Sequence, residues 1–194
     1  MTSFELNEDF LEPKREVFVS QEELYMLHAM TAASNSKDPS TQVGACYVGQ
    51  DGRILSIGCN QGPRNWDEDF FPWGTKKEYG MQNNKYTYVV HAEMGGSLNY
   101  GGSLKDFEGS TLYVTLFPCS NCAKVIATLG VKKVVYLNAR TDNEDYICSR
   151  TLLNYCGIEC ISFRELDKNS LEFVQLDVNK DEKNFISMKK RYAI

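Results

Sequence analysis

Thr111-Leu112-Tyr113-Val114-Thr115-Leu116-Phe117-Pro118-Cys119-Ser120-Asn121-Cys122-Ala123-Lys124 passes from an apolar stretch into a proline and two cysteines. It continues through Gly130-Val131-Lys132-Lys133-Val134-Val135-Tyr136 into a second apolar stretch. The first stretch reads as a buried strand, residues 119–129 as a helix and residues 133–137 as another strand. Proline is well tolerated in a first helical turn, so the helix is expected to begin near Pro118. Cys119 and Cys122 are three apart and would then share a face at the positive end of that helix. Thiolates held there have a lowered pKa and favour metal binding. The order strand, helix, strand predicts a βαβ unit with parallel neighbours.

Upstream, His91-Ala92-Glu93 opens another helical segment, over residues 91–100. A C-x-x-C taken alone reads equally well as a redox pair or as part of a structural zinc site, and H-x-E alone says less. Joined, they offer three zinc ligands, His91, Cys119 and Cys122, and one carboxylate, Glu93. Structural zinc sites close with four protein ligands, whereas catalytic sites keep a position for water. Zinc lowers the pKa of a bound water from about 15.7 towards about 7, which makes a nucleophile available at neutral pH. Glu93 is the sole carboxylate inside the two motifs and is the candidate general acid/base. The pattern H-x-E…P-C-x-x-C resembles the signature of zinc nucleobase deaminases. His28, the other histidine, lies in an apolar helical pattern and reads as a packing or surface residue.

Residues 22–34 place Leu24, Leu27, Met30 and Thr31 at helical spacing behind acidic residues, which predicts a first helix. Residues 43–48 and 54–58 flank Gln50-Asp51-Gly52, whose Asp-Gly predicts a hairpin. Residues 61–90 form a long connection carrying Trp66, Phe70, Phe71, Trp73, Tyr79, Tyr86 and Tyr88. It is expected to pack on its own aromatics or to contact substrate, effector or another subunit. Residues 144–155 predict a helix and residues 158–163 a final core strand. An edge strand at 171–178 and a closing helix or tail at 180–194 would follow. The fold class expected is α/β with a mixed, roughly five-stranded sheet. An arm over 1–20 precedes the domain at 21–165, and an extension over 166–194 packs on it.

A chain of 194 residues suits one domain. A net charge of -5 argues against affinity built on broad phosphate neutralisation, so polymeric nucleic acid is disfavoured as a partner. An odd number of cysteines, the lack of a secretory leader and the lack of a membrane-length apolar run predict a cytoplasmic protein with no membrane span. Cys46, Cys59, Cys148, Cys156 and Cys160 are then expected to be buried thiols.

Ser36-Lys37-Asp38-Pro39-Ser40-Thr41-Gln42-Val43-Gly44-Ala45 and Lys85-Tyr86 extend the likeness, and over residues 20–165 the chain resembles the deoxycytidylate (dCMP) deaminases. Transfer-RNA adenosine deaminases and riboflavin-pathway deaminases share the zinc signature, but Phe-Pro-Cys-x-x-Cys-Ala-Lys and Ser-Lys-Asp-Pro favour the dCMP enzymes. The resemblance implies a three-layer α-β-α cytidine-deaminase-like fold and the conversion of dCMP and water to dUMP and ammonia. It places zinc on His91, Cys119 and Cys122 and proton transfer on Glu93. It also implies a nucleotide contact for Asn60 and a place near the substrate phosphate for Ser36, where local turn chemistry is the alternative. Members are commonly hexamers activated by dCTP and inhibited by dTTP, so a homo-oligomer with those effectors is expected.

The chain departs from the family in three places. Gly95-Gly96 stands where Asn-Ala is usual, and glycine inside a helix costs about 1 kcal/mol relative to alanine, so a close approach to that backbone is expected. Cys59-Asn60-Gln61-Gly62 replaces Tyr-Asn-Gly. Asn138-Ala139-Arg140 replaces Asp-Lys-Tyr, which makes Arg140 a candidate phosphate contact. Two alternatives remain at this stage. One is a deaminase of the same fold that prefers dCTP or another cytosine nucleotide. The other is a catalytically silent zinc module that binds nucleotides or partners, against which the intact Glu93 argues.

Overall fold

Side chains alternate across three neighbouring strands, and that alternation builds two separate cores. In β1 (Gly44–Val48) Ala45 and Tyr47 enter one core while Cys46 and Val48 enter the other. In β3 (Thr111–Leu116) Leu112 and Val114 oppose Tyr113, and in β4 (Lys133–Asn138) Val134 opposes Val135 and Leu137. A period of two with both faces buried is the mark of interior strands. Tyr47, Phe107, Leu112 and Ile126 are among the fully buried side chains, each contributing about 1.5–3 kcal/mol by leaving water.

The computed structural model describes Pro13 and residues 18–166. The arm before residue 18, the edge strand at 171–178 and the closing helix at 180–194 lie outside the described residues. β2 (Ile54–Cys59) pairs antiparallel with β1, and β1 pairs antiparallel with β3. β3 and β4 are parallel, as are β4 and β5 (Glu159–Ser162), giving the order β2-β1-β3-β4-β5. α1 (Gln21–Ser34) and the short α5 (Phe163–Leu166) cover one face of the sheet. α2 (Ala92–Leu98), α3 (Ser120–Thr128) and α4 (Glu144–Tyr155) cover the other. The mixed five-stranded sheet and its three layers match the expectation.

Local signals explain the element ends. Ser20 and Glu23 form a reciprocal capping box at the start of α1, with Glu23 N–H donating to Ser20 Oγ at 3.1 Å and Ser20 N–H to Glu23 Oε2 at 2.8 Å. Gly52 adopts a φ of 80° in the β1–β2 hairpin, a conformation glycine reaches without strain. Two further glycines set how closely the layers pack. A Cβ on Gly44 would stand 1.8 Å from the Ala29 carbonyl oxygen of α1, and one on Gly58 would stand 2.4 Å from both Ala92 O and Gly96 N of α2. Helices on both faces thus seat directly on glycines of β1 and β2. The close approach expected at Gly95-Gly96 is found at Gly96, whereas Gly95 has room for a methyl group, its nearest contact being 3.5 Å.

Two expectations need correction. The strand expected at 158–163 is shorter, and β5 lies at the edge of the described sheet, with Ile158 and Phe163 buried at its two ends. Cys46 and Cys59 are buried, but Cys160 is half-buried and Cys148 and Cys156 are exposed. α4 turns Ser149 and Leu153 inward, which leaves Cys148 on its outer face, and Cys156 is the helix C-cap. No helix among the described residues is long and apolar enough to cross a membrane.

Candidate metal centre and cavity

The carboxyl end of β3 and the amino ends of α2 and α3 converge. His91 is the N-cap of α2 and Cys119 the N-cap of α3, both in extended backbone, and neither side chain makes a capping hydrogen bond. Freed from capping, the two side chains turn towards each other and towards Cys122 in the first turn of α3. His91 Nδ1 lies 3.4 Å from Cys119 Sγ and 3.5 Å from Cys122 Sγ. A tetrahedral zinc with bonds of about 2.3 Å to sulfur and about 2.0 Å to nitrogen separates those atoms by about 3.5 Å. The donor set therefore fits zinc in both chemistry and spacing. Among the described residues this is the group of histidine, cysteine and carboxylate side chains that could hold a metal ion.

Electrostatics agree with the geometry. The hydrogen bond from Cys122, reinforced by the one with His91, pulls the Cys119 thiol down to about 4. The same bond and burial push Cys122 up, and a metal held by both sulfurs would displace its proton. His91 is raised, chiefly by its hydrogen bond with Cys119. Glu93 sits beside this cluster, 3% exposed, with its Oε2 accepting from the Cys122 thiol at 3.4 Å. Burial raises its carboxyl above the ordinary range, which suits a group that both takes and gives protons. Tyr47 O–H donates to the Glu93 carbonyl at 3.0 Å and anchors the first turn of α2 from within the core.

α4 braces the other helix mouth. Ser149 Oγ donates to the Pro118 carbonyl at 2.7 Å, and the Asp145 carboxylate accepts from Ser120 N–H at 3.1 Å. An anion at a helix N-terminus is favoured by the dipole as well as by the unpaired N–H groups.

The His91, Cys119 and Cys122 group and Glu93 open onto a cavity of about 350 Å³, walled by Leu116, Phe117 and Tyr146 and by the polar side chains of Thr41, Asn60 and Arg140. Its position beyond the carboxyl ends of parallel strands is a common place for ligands in α/β folds. Of the residues expected to touch substrate, the structure brings Asn60 and Arg140 to this cavity and leaves Ser36 outside its lining. The Ser36 hydroxyl instead donates to the Asn60 carbonyl at 2.8 Å, a local turn contact. Arg140 is exposed and donates to Thr41 Oγ1 at 3.0 Å, and among the described residues no carboxylate pairs with it.

Sequence reasoning gave no role to Asp38, Lys85, Asp145 or Tyr47. Asp38 and Lys85 are 47 positions apart and form a buried ion pair on the cavity wall. Breaking such a pair costs about 3–5 kcal/mol, because one charge is left buried alone. No spacing rule links residues so distant, and only the fold of the 61–90 connection brings them together. The two ends of that connection are tied to each other by a two-way bridge between Gln61 and Val90. Trp66, Phe71, Trp73 and Tyr88 pack against one another within it in tilted and edge-on contacts.

Comparison with known proteins gives a consistent result. A family model for the cytidine and deoxycytidylate deaminase zinc-binding region matches residues 19–138. A Drosophila melanogaster protein named as a probable deoxycytidylate deaminase is 40% identical over 151 residues, covering 75% of this chain and 73% of its own. The Homo sapiens deoxycytidylate deaminase is 36% identical over 146 residues, covering 75% of this chain and 80% of its own. The crystal structure of dCMP deaminase from the cyanophage S-TIM5 in complex with dCMP and dUMP superposes with a TM-score of 0.55 at 29% identity, covering 73% of this chain and 95% of that one.

Proposed function

Because the chain belongs to the cytidine and deoxycytidylate deaminase family, we propose that it converts dCMP and water to dUMP and ammonia, with zinc as its metal. The observation that carries this reading is the meeting of His91, Cys119 and Cys122 beside the buried Glu93 carboxylate at one cavity. When held by His91 Nδ1 and the two sulfurs, zinc supplies a Lewis acid that lowers the pKa of water from about 15.7 towards about 7.

The residues around it divide the remaining work. Glu93, buried beside Cys122, receives the proton released by water and delivers it to the cytosine ring nitrogen. A second proton passes through the same carboxylate to the departing amine, so ammonia leaves and the carbonyl of dUMP remains. Tyr47 holds the backbone of Glu93, while Asp145 and Ser149 hold the turn that presents Cys119. Phe117, Leu116 and Tyr146 give the base an apolar enclosure from which bulk water is displaced. Asn60 contacts the nucleotide, and Arg140 receives its phosphate. Lys85 does not serve that purpose because Asp38 already neutralises it.

A homo-oligomer, with dCTP and dTTP as effectors, and a cytoplasmic location belong to the same reading, on the strength of the family likeness. Ammonia release measured side by side from dCMP, dCTP and deoxycytidine tests the substrate. Turnover dominated by dCMP is expected, and dominant turnover of dCTP would move the assignment to a triphosphate enzyme.

A further inference from the structure

Five hydrogen bonds converge on one buried carboxylate beside the cavity. Lys85 Nζ donates to Asp38 Oδ1 at 2.7 Å and to Oδ2 at 2.6 Å, and both residues are 3% exposed. Asp38 also accepts from the N–H groups of Ser40 and Thr41, at 2.8 and 3.2 Å, and from Asn60 Nδ2 at 3.1 Å. Asn60 Nδ2 gives its second hydrogen to the Thr41 carbonyl at 2.9 Å, and Asn60 Oδ1 accepts from Val43 N–H at 2.8 Å. Both amide hydrogens of Asn60 are therefore engaged, and its remaining capacity is as an acceptor at Oδ1.

Lys85 is fixed by its backbone as well. Its N–H donates to the Gly74 carbonyl at 2.9 Å, and its own carbonyl accepts from Tyr88 N–H at 2.9 Å and Val89 N–H at 2.8 Å. One part of the cavity wall comes from Asp38, Thr41 and Asn60, another from Lys85, Val89 and His91. The ion pair is a side-chain contact that ties these two parts together.

We propose that Asp38 and Lys85 are positioning residues for the nucleotide: their ion pair locks the amide of Asn60 into one orientation, acceptor towards the cavity, and sets the distance between these two parts of the wall. This rests on the dCMP reading of the site. With its charge chelated by both oxygens of Asp38, Lys85 acts through Asn60 and not on the substrate phosphate. An amide free to turn over would offer a donor as often as an acceptor, and recognition of a donor group on the nucleotide would be lost.

The test is steady-state kinetics on zinc-loaded enzyme, with zinc content measured in every variant. Lys85→Met is expected to raise KM for dCMP by roughly tenfold or more while kcat stays within about threefold, the pattern of lost binding without lost chemistry. Added to Asn60→Ala, Lys85→Met should raise KM by less than about twofold further, because residues acting through one contact are not additive. Full multiplication of the two effects, a fall in kcat alone, or a wild-type KM in the Lys85 variant would overturn the proposal. Should Lys85→Met fail to fold, the double variant Asp38→Asn/Lys85→Met removes the lone buried charge but gives Asn60 no carboxylate. A raised KM there supports the proposal and a wild-type KM overturns it. A wild-type enzyme that releases no ammonia from dCMP would remove the reaction itself, an outcome distinct from failure of the ion pair alone.

Discussion

His91 and Cys119 occupy the same position on two different helices, each the N-cap in extended backbone, and their Nδ1 and Sγ atoms meet at 3.4 Å. A residue that would ordinarily close its own helix instead faces the other. The two helix mouths thus give up side-chain capping and turn both side chains to the candidate metal site.

Cys119→Ser separates those two roles. Serine is a strong N-cap and is expected to return about 1 kcal/mol to α3, yet it removes a thiolate from the ligand set. The variant should fold with little or no zinc. Metal analysis together with thermal melting checks this: a chelator should lower the Tm of the wild type and leave the variant unmoved, since a ligand stabilises only the state that binds it. A full zinc complement in the serine variant would take Cys119 out of the ligand set.

Glu93→Gln should keep zinc and lose turnover. The glutamine is nearly isosteric in a buried position, but it cannot carry protons. General acid–base contributions run to about 10²–10⁴-fold, and here the same carboxylate serves more than one step, so a loss at the upper end is expected. Zinc stoichiometry and ammonia release on the same preparation decide it. Loss of metal equal to that in Cys119→Ser would recast Glu93 as part of the metal's support.

Much of this candidate site could be read from the chain because its candidate ligands travel in short motifs. H-x-E and P-C-x-x-C each mark a helix mouth, and the strand before Cys119 and the helix after it have the expected bounds within a residue or two. The hairpin at Gly52 and the helix at Glu144–Tyr155 were legible for the same reason, since turn chemistry and helical periodicity are local. Asp38 and Lys85 were not legible, because a pair 47 positions apart leaves no local trace. Nor was the exposure of Cys148, since cysteine type does not say which face of α4 it takes. The surroundings of Ser36 were not legible either, because a serine in a turn looks the same whether it holds a ligand or, as here, donates to the Asn60 carbonyl.

Gly58 and Gly95 make a contrasting pair. Alanine at Gly58 would push its Cβ to 2.4 Å from backbone atoms of α2, and backbone cannot swing aside as a side chain can. Overpacking of this kind costs about 1–3 kcal/mol, and the shift it forces on α2 would also displace His91. Alanine at Gly95 meets nothing nearer than 3.5 Å and should gain about 0.5–1 kcal/mol from helix propensity. Thermal denaturation is expected to move Tm down for Gly58→Ala and up for Gly95→Ala. Equal shifts would mean that α2 floats on the sheet and is not seated on Gly58.

Arg140→Ala tests the phosphate assignment by asking which substrate notices. The guanidinium lies at the exposed rim of the cavity, donates to Thr41 Oγ1 at 3.0 Å and is paired with no carboxylate among the described residues. A hydrogen bond to a charged group contributes about 1.5–3 kcal/mol, but exposure and salt screening place Arg140 at the low end. KM for dCMP should therefore rise by roughly tenfold, about 1.4 kcal/mol, while turnover of deoxycytidine, which has no phosphate, stays as it was. Arg140→Lys should recover only part of the loss, because an ammonium cannot engage two phosphate oxygens in the planar fork that a guanidinium offers. The difference between wild type and Arg140→Ala should also shrink as ionic strength rises, as it must for a charge in contact with solvent. A KM that rises equally for dCMP and deoxycytidine would assign Arg140 to the shape of the cavity through Thr41, and the phosphate would then have to be sought on another side chain.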